Sequence, residues 1–316
     1  MFESIAAALG PEIYQYLLAG LVTGLLYALI ALGYTMVYGI IELINFAHGD
    51  LFMLGAFFSL QLAIWVGAAG AKGQATGEFA VLAVAIMLVA APVFCAALNV
   101  TVDRVVYKPL RNAPKLAPLV SAIGVSFIFM NIGVFWMGTY DLNFPELIPP
   151  TNLTPGYRVE FTYQHLMVIV VTLPVMVALT LFVRYTALGK AMRATAQNPT
   201  AAQLMGINVD RVIAATFAIG GALAGVAAVV YGLYVNSAGY QMGFQTGLFA
   251  FTAAVLGGIG NIPGAVLGGI LIGLIEKLGT GYVGDQWRQP LIFAILIVIL
   301  IFRPNGILGA RTREKV

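Results

Sequence analysis

Residues 14–40 read YQYLLAGLVTGLLYALIALGYTMVYGI, a stretch without a charged side chain. About 20 consecutive apolar residues carry a helix across the hydrocarbon core of a bilayer, so this stretch predicts a membrane-spanning helix. Similar apolar runs follow along the chain at 51–67, 79–101, 117–138, 163–183, 212–235, 247–276 and 289–302. Together they predict an all-α, polytopic transmembrane helix bundle of about eight membrane segments, in a single domain over residues 1–316.

The composition also indicates a membrane protein. Of its 316 residues, 60% are hydrophobic and 9% are charged, and the mean hydropathy is +0.94. A soluble domain carries roughly 25% charged residues. The strands of a transmembrane β-barrel alternate polar and apolar residues, which these runs do not do. Gly-x-x-x-Gly pairs, which predict helices that pack closely in lipid, begin at Gly20, Gly221, Gly264 and Gly269.

The basic residues predict how the bundle is oriented. Most of the 16 Lys and Arg residues form three clusters, which are Arg104, Lys108, Arg111 and Lys115; Arg184, Lys190, Arg193 and Arg211; and Arg303, Arg311, Arg313 and Lys315. The remainder are Lys72, Arg158, Lys277 and Arg288. Because basic residues collect in cytoplasmic loops, we predict that 102–116, 184–211 and the C-terminal tail are cytoplasmic. Counting the crossings back from there places the N-terminus outside.

The run 247–276 is predicted to turn back on itself. The chain leaves the cytoplasm at residue 212 and returns at 303, so it crosses an even number of times, yet three apolar runs lie between. Residues 256–264 read LGGIGNIPG, and Gly and Pro at this density break a helix. We expect a broken or re-entrant hairpin entered from outside, with arms of about a dozen residues that are too short to span the bilayer upright.

The basic segment 184–211 is the longest polar insert between apolar runs. It predicts a short helix over 187–197, a stop at Asn198-Pro199 and a left-handed cap at Gly206. The functional hypothesis is a coupling element that docks into a cytoplasmic motor, and the open alternatives are an ordinary solvated loop and attraction to lipid headgroups. The candidate coupling residues are Gly189, Lys190, Met192, Arg193, Asn198, Pro199 and Gly206.

Polar side chains also interrupt the apolar sequence at residues 39–50. A charge within hydrocarbon costs on the order of 3 kcal/mol on insertion scales, so these groups need water, a partner or unwound backbone, and Gly49 predicts an unwound turn. The hypothesis is a discontinuous helix beside a translocation path, and the alternative is an interfacial loop. Candidate path residues, including polar and glycine positions in later runs, are Asn45, His48, Asp50, Asn131, Gly257, Gly258 and Asn261. For Asn131, interhelical hydrogen bonding is the alternative role.

Several motifs are missing from the sequence. No Gly-x-x-x-x-Gly-Lys-Ser/Thr motif occurs, since Arg184 stands where Gly189-Lys190 would require a glycine, so we expect no ATP site in this chain. There is no nucleophile elbow and no His-Glu-x-x-His, and no second His or Cys lies near His48 to hold a metal. We therefore expect a transport subunit rather than an enzyme, with neither metal nor cofactor of its own, driven by ATP bound to partner subunits.

Five motifs carry a resemblance to a known family. They are YALIALGYTMVYG at 27–39, NFAHG at 45–49, GKAMRA at 189–194, AAVLGGIGNIPG at 253–264 and RPNGILG at 303–309. In these motifs the chain, from about residue 14 to 309, resembles the LivH-like inner-membrane permeases of branched-chain amino acid ABC importers. Permeases for urea and short amides share most of these motifs, so a urea or amide permease is the alternative.

The resemblance implies a heteromeric importer in the bacterial inner membrane. Its expected partners are a second, LivM-like permease, two cytoplasmic ATP-binding subunits, a periplasmic solute-binding protein and membrane lipid, but no nucleic acid. It implies a branched-chain amino acid as substrate and a coupling segment near 188–206. Two further alternatives remain open, a passive channel with the 247–276 hairpin as filter and an intramembrane enzyme that uses His48 and Asp50.

Overall fold

The computed structural model describes residues 10, 12–68, 78–111, 113–114, 116–157 and 159–309. Its helices are α1 Ile13–Ile41, α2 Ala47–Trp65, α3 Glu78–Val102, α4 Lys108–Leu110, α5 Leu116–Met137, α6 Tyr163–Tyr185, α7 Ala187–Gln197, α8 Pro199–Leu204, α9 Val209–Val235, α10 Met242–Gly257, α11 Ile262–Tyr282 and α12 Arg288–Phe302. A π-helical turn, Asp103–Tyr107, joins α3 to α4, and a 3₁₀ turn, Asp285–Trp287, precedes α12. The strands β1 Leu142–Asn143 and β2 Ser237–Ala238 form one antiparallel pair.

The architecture confirms the predicted all-α polytopic bundle. Among the described residues, 8 helices are long enough and apolar enough to span a membrane, and α10 is a shorter apolar helix. Helix α1 lies at the centre and is buried on all sides between Val22 and Val37. A helix that is hydrophobic all round belongs in such a position, because no face of it needs to meet water.

Small residues let α1 and α11 cross at backbone contact, as the glycine pairs predicted. A Cβ built on Gly24 would lie 2.7 Å from Ile270 Cα, and one built on Gly273 would lie 2.3 Å from Gly24 N. The pair at Gly221 and Gly225 does the same for α9 against α3, where a Cβ on Gly221 would lie 2.5 Å from the carbonyl oxygen of Cys95. In lipid, such close packing replaces the hydrophobic driving force between helices.

The helix break near residue 49 lies elsewhere than predicted. Residues 42–46 are non-helical, and Glu42 takes a left-handed φ of 54° that ends α1. Gly49 lies inside the first turn of α2, so the predicted unwound turn at Gly49 is wrong. The glycine instead permits close contact with α10, because a Cβ there would lie 2.5 Å from the carbonyl oxygen of Gly243. Residues 42–46 join two helices that are each long and apolar enough to span a membrane, and the discontinuous helix beside a translocation path stays a prediction.

The hairpin breaks where predicted, but its arms are longer. Helix α10 has 16 residues and α11 has 21, with Gly258 and Gly260 at positive φ between them. The expectation of arms of about a dozen residues is wrong, because both helices continue beyond the apolar run. The tip lies against the segment 303–309, where Ile307 N donates to Leu256 O at 2.8 Å and Leu308 N to Gly257 O at 3.0 Å.

The predicted cytoplasmic segments meet at one end of the bundle, here called the basic end. A surface cavity there is lined by Ala196 of the basic loop, Glu42, the hairpin tip and Asn305. At the opposite end, β1 and β2 join the loop between α5 and α6 to the loop between α9 and α10. Some of the basic residues named above lie outside the described residues, as do the first nine residues of the chain. These basic residues are Lys72, Lys115, Arg158, Arg311, Arg313 and Lys315.

Candidate functional site

Side-chain caps fold the basic loop into two short helices. The Thr186 hydroxyl accepts from Gly189 N at 3.0 Å and begins α7. Asn198 ends α7 and caps α8 by accepting from Ala201 N at 3.0 Å, and Gly206 follows α8 at a φ of +83°. The predicted helix over 187–197, the stop at 198–199 and the left-handed residue at 206 are all present, because polar side chains at these positions satisfy free helix-end amides.

Five of the seven predicted coupling residues are exposed, namely Lys190, Arg193, Asn198, Pro199 and Gly206. Gly189, Met192 and Arg193 make contacts with the rest of the loop and with α6. Gly189 and Met192 are buried, and a Cβ on Gly189 would lie 2.4 Å from the carbonyl oxygen of Val183. Arg193 donates to the carbonyl oxygens of Val183 and Arg184 at the end of α6. These three residues fix the loop to the bundle.

Two apolar residues at the tip of the loop were missed by sequence reasoning. Leu204 is 85% exposed and Met205 is 83% exposed, directly before Gly206. Leu and Met side chains placed in water on a polar loop commonly mark a surface for a partner protein. The available signal was a pair of large apolar residues at the end of a segment that is otherwise polar.

Ion pairs tie the loop to the α3–α4 region. Lys108 Nζ lies 2.8 Å from Asp210 Oδ2, and Arg111 pairs with both Asp210 and Asp103, the latter at 2.7 Å. Asp103 is buried, whereas Asp210 is half exposed. The loop is thus held by hydrogen bonds to backbone carbonyls on the α6 side and by charge pairs on the α4 side.

Asn45 belongs to a buried hydrogen-bond network near the end of α1. Its amide donates to Asn99 Oδ1 at 3.2 Å, and its own Oδ1 accepts from the Tyr107 hydroxyl at 3.3 Å. Asn99 in turn donates to Phe217 O at 2.7 Å. The network satisfies the polar groups where the helix break, α3 and α9 meet, which is what buried polar groups require.

His48 and Asp50 lie buried in the first turn of α2. The His48 ring occupies the notch left by Gly33, where a Cβ would lie 2.2 Å from Nε2, and stands edge-on to the Tyr34 ring at 4.7 Å. Asp50 is 1% exposed; its Oδ2 accepts from the Ser126 hydroxyl, and its Oδ1 has no hydrogen-bond partner. No group of His, Cys, Asp and Glu within the described residues could hold a metal.

The remaining candidate path residues do not lie with His48 and Asp50. Asn131 lies on an exposed face of α5, donates to Phe127 O at 2.8 Å and lines a shallow apolar groove. Gly257, Gly258 and Asn261 form the hairpin tip, where Asn261 donates to Leu308 O at 2.6 Å. Helix rise alone places the tip about 20 Å along α10 from its first turn, which contacts Asp50.

A buried charge cluster at the opposite end was not predicted. Glu276 is 1% exposed and accepts a 2.5 Å hydrogen bond from the Tyr27 hydroxyl. Arg288 Nη2 lies 2.7 Å from Glu276 Oε1, and the guanidinium stacks over the Phe249 ring at 5.1 Å. The cluster joins α1, α10, α11 and α12. The sequence analysis names Lys277 and Arg288 only as basic residues outside the three clusters, and the Lys277 ammonium lies 3.8 Å from Glu276.

Known proteins identify the family. A family profile described as "Branched-chain amino acid transport system / permease component" matches residues 16–300. The chain is 43% identical to the high-affinity branched-chain amino acid transport system permease protein BraD of Pseudomonas aeruginosa, over 97% of this chain and 100% of BraD. It is 42% identical to LivH of Escherichia coli K12 and 41% identical to LivH of Salmonella typhimurium, in both cases over 96% of this chain and 97% of the relative. No solved structure matches the chain. The chain therefore belongs to the family of permease components of branched-chain amino acid transport systems, which confirms the resemblance of its motifs.

Proposed function

We propose that this chain is the permease subunit of an ABC importer that carries branched-chain amino acids across the bacterial inner membrane. The names of its relatives support the substrate class. The proposed partners are a second, LivM-like permease, two ATP-binding subunits and a periplasmic solute-binding protein. ATP binds to the ATP-binding subunits, and this chain holds no cofactor.

One observation carries the proposed coupling. The exposed pair Leu204 and Met205 lies at the tip of a basic loop that is fixed to α6 and α4, at the end of the bundle where the basic segments meet. A motor subunit that presents an apolar groove would cover this pair.

The positive-inside rule makes the basic end cytoplasmic, so the C-terminus lies inside and the N-terminus outside.

The motor would act on the bundle by shifting its population between two conformations. A ligand, here the ATP-closed motor, shifts such an equilibrium only by its different affinity for the two states. The loop would transmit that difference through the hydrogen bonds from Arg193 to the end of α6 and through the ion pairs of Asp210 with Lys108 and Arg111. The hairpin tip lies beside Ala196, so it would move with the loop.

We expect Leu204→Glu together with Met205→Glu to detach the ATP-binding subunits. A charge placed in an apolar docking groove removes a hot spot, and loss of about 2 kcal/mol or more weakens association about 30-fold or more. Leucine uptake should fall accordingly. The measurement is co-purification of the ATP-binding subunits and ATP-dependent uptake of labelled leucine, at equal amounts of permease in the membrane.

Thr200→Glu together with Gln203→Glu provides the matched control, because both residues are exposed on α8 and the variant gains the same two negative charges. It should retain both association and uptake. Full uptake by the Leu204→Glu, Met205→Glu variant would overturn the coupling assignment. Substitution of Gly189 or Arg193 would test less cleanly, since both residues hold the loop in place.

The substrate class is tested by uptake into proteoliposomes that contain the whole importer. We expect accumulation of labelled leucine that requires ATP and is competed by isoleucine and valine but not by urea. Competition by urea in place of these amino acids would favour the urea or amide alternative. Uptake without ATP would favour the passive channel.

A further inference from the structure

A small cavity lies between α5 and α10, next to the buried Asp50. Its volume is about 280 Å³, and its walls are largely apolar, with Ile123, Phe127, Met130, Phe244 and Leu248 contributing side chains. Drug-sized ligands occupy pockets of about 300–1,000 Å³, so this cavity fits a smaller solute. The lining is completed by Tyr34, Phe46, Ser126, Gly243 and Gly247.

The Asp50 carboxylate lies directly behind two residues of this lining. Ser126 donates its hydroxyl to Oδ2, and a Cβ built on Gly243 would lie 2.9 Å from Oδ1. Oδ1 therefore lies against Gly243, which has no side chain and itself lines the cavity. Oδ1 has no hydrogen-bond partner, and no described Lys or Arg forms an ion pair with Asp50. A buried carboxylate in this state lacks the cation that would stabilise it.

A helix N-terminus without a side-chain cap lies next to the same cavity. Helix α10 begins at Met242, and its N-cap residue Gln241 makes no side-chain cap hydrogen bond. The first backbone N–H groups of a helix have no intrahelical partner and attract anions, and Gly243 and Phe244 of this first turn line the cavity. Asp50 Oδ1, which can accept from a cation, therefore lies against Gly243. The backbone N–H groups of Gly243 and Phe244, which can donate to an anion, belong to the same turn beside the apolar cavity.

We infer that Asp50 and the first turn of α10 form a subsite for a zwitterionic amino acid. Asp50 Oδ1 would accept from the ammonium group, the N–H groups of Gly243 and Phe244 would donate to the carboxylate, and the aliphatic side chain would fill the cavity. The ammonium and carboxylate of an α-amino acid are attached to one carbon, which matches the close spacing of the two recognition elements. The inference rests on the proposed function, since it assigns that substrate a place in this chain.

The first test uses photo-leucine, a diazirine analogue of leucine. It is applied to the membrane complex of permease and ATP-binding subunits, without the solute-binding protein. We expect cross-links on α5 and α10. Leucine should compete with this labelling, whereas 4-methylpentanoate, which lacks the ammonium, and 3-methylbutylamine, which lacks the carboxylate, should each compete at least about 10-fold less well. Equal competition by 4-methylpentanoate, or cross-links confined to other segments, would overturn the inference. This measurement needs no variant, so it does not depend on how a mutant folds.

The second test uses Asp50→Asn, which keeps size and hydrogen bonding but removes the charge. We expect labelling and ATP-driven leucine uptake to fall at least about 100-fold while the ATP-binding subunits still co-purify, because binding sites that leave a substrate charge unpaired discriminate by that order. Ile132→Ala, on the same helix as Ser126 but outside the cavity, should label and transport like the wild type. Normal labelling in Asp50→Asn would overturn the inference. Absence of leucine uptake by the wild-type importer would instead overturn the proposed function, so the two failures are distinguishable.

Discussion

A Gly273→Val variant is expected to leave almost no assembled permease in the membrane. A Cβ at this position would lie 2.3 Å from Gly24 N and 2.4 Å from Gly20 O, and both are backbone atoms that no rotamer change can move. Valine adds two methyl groups beyond that Cβ. Overpacking of a core commonly costs about 1–3 kcal/mol, and a clash between two backbones exceeds the upper end of this range. Helix α1 cannot retreat, because other helices bury it on all sides.

Gly124→Val is the control for this substitution. Gly124 lies on an exposed part of α5, and a Cβ there would meet nothing within 4 Å. The same chemical change should therefore be tolerated. The measurement is the amount of protein in isolated membranes and the yield of a single size-exclusion peak after detergent extraction. If Gly273→Val accumulates like Gly124→Val, the close crossing of α1 and α11 is not what holds the bundle together.

Glu276→Ala is expected to destabilise the folded chain by a few kcal/mol. Removal of one member of a buried ion pair leaves the other uncompensated, at a cost of about 3–5 kcal/mol. The Arg288 side chain is 34% exposed and can turn toward solvent, which places the expected loss near the lower end, at about 3 kcal/mol. The Tyr27 hydroxyl, fully buried in α1, also loses its acceptor. Thermal unfolding of the detergent-solubilised protein measures the effect.

A double-mutant cycle separates the ion pair from simple loss of packing. Glu276→Ala combined with Arg288→Ala should cost clearly less than the sum of the single variants, because neither charge is then left alone. Lys277→Ala should change stability by less than about 1 kcal/mol, since its ammonium is farther away and its side chain is partly exposed. Additive single effects would show that Glu276 and Arg288 do not depend on each other.

Features set by local sequence could be predicted well. The length of the apolar runs predicts the helices, because bilayer thickness imposes that length on any spanning helix. Helix α7 has the predicted bounds 187–197, since the Thr186 side chain caps its start and Asn198 ends it by capping the next helix, α8. The hairpin break at 258–261 follows from the glycines there and Pro263, which a continuous helix cannot accommodate.

Features set by distant residues could not be predicted. Gly49 suggested unwinding, yet its role is to admit Gly243, and nothing near it in sequence indicates that contact. Glu276 finds Tyr27 across 249 residues, and Asp50 finds Ser126 across 76. The buried Asn45 and Asp50 have hydrogen-bond partners, whereas both ring nitrogens of His48 have none. Their partners, and hence their grouping into separate clusters, depend on helix packing.

The segment 303–309 has a consequence for biogenesis. It closes the hairpin tip through backbone hydrogen bonds to Leu256 and Gly257, yet it is synthesised after every helix of the bundle. The carbonyl groups at the end of α10 therefore stay uncovered while the ribosome completes α11 and α12. Newly inserted chains must pass through a stage in which the helices are in the membrane but the basic end is unsealed, and quality-control proteases or partner subunits arriving at this stage would encounter an incomplete surface.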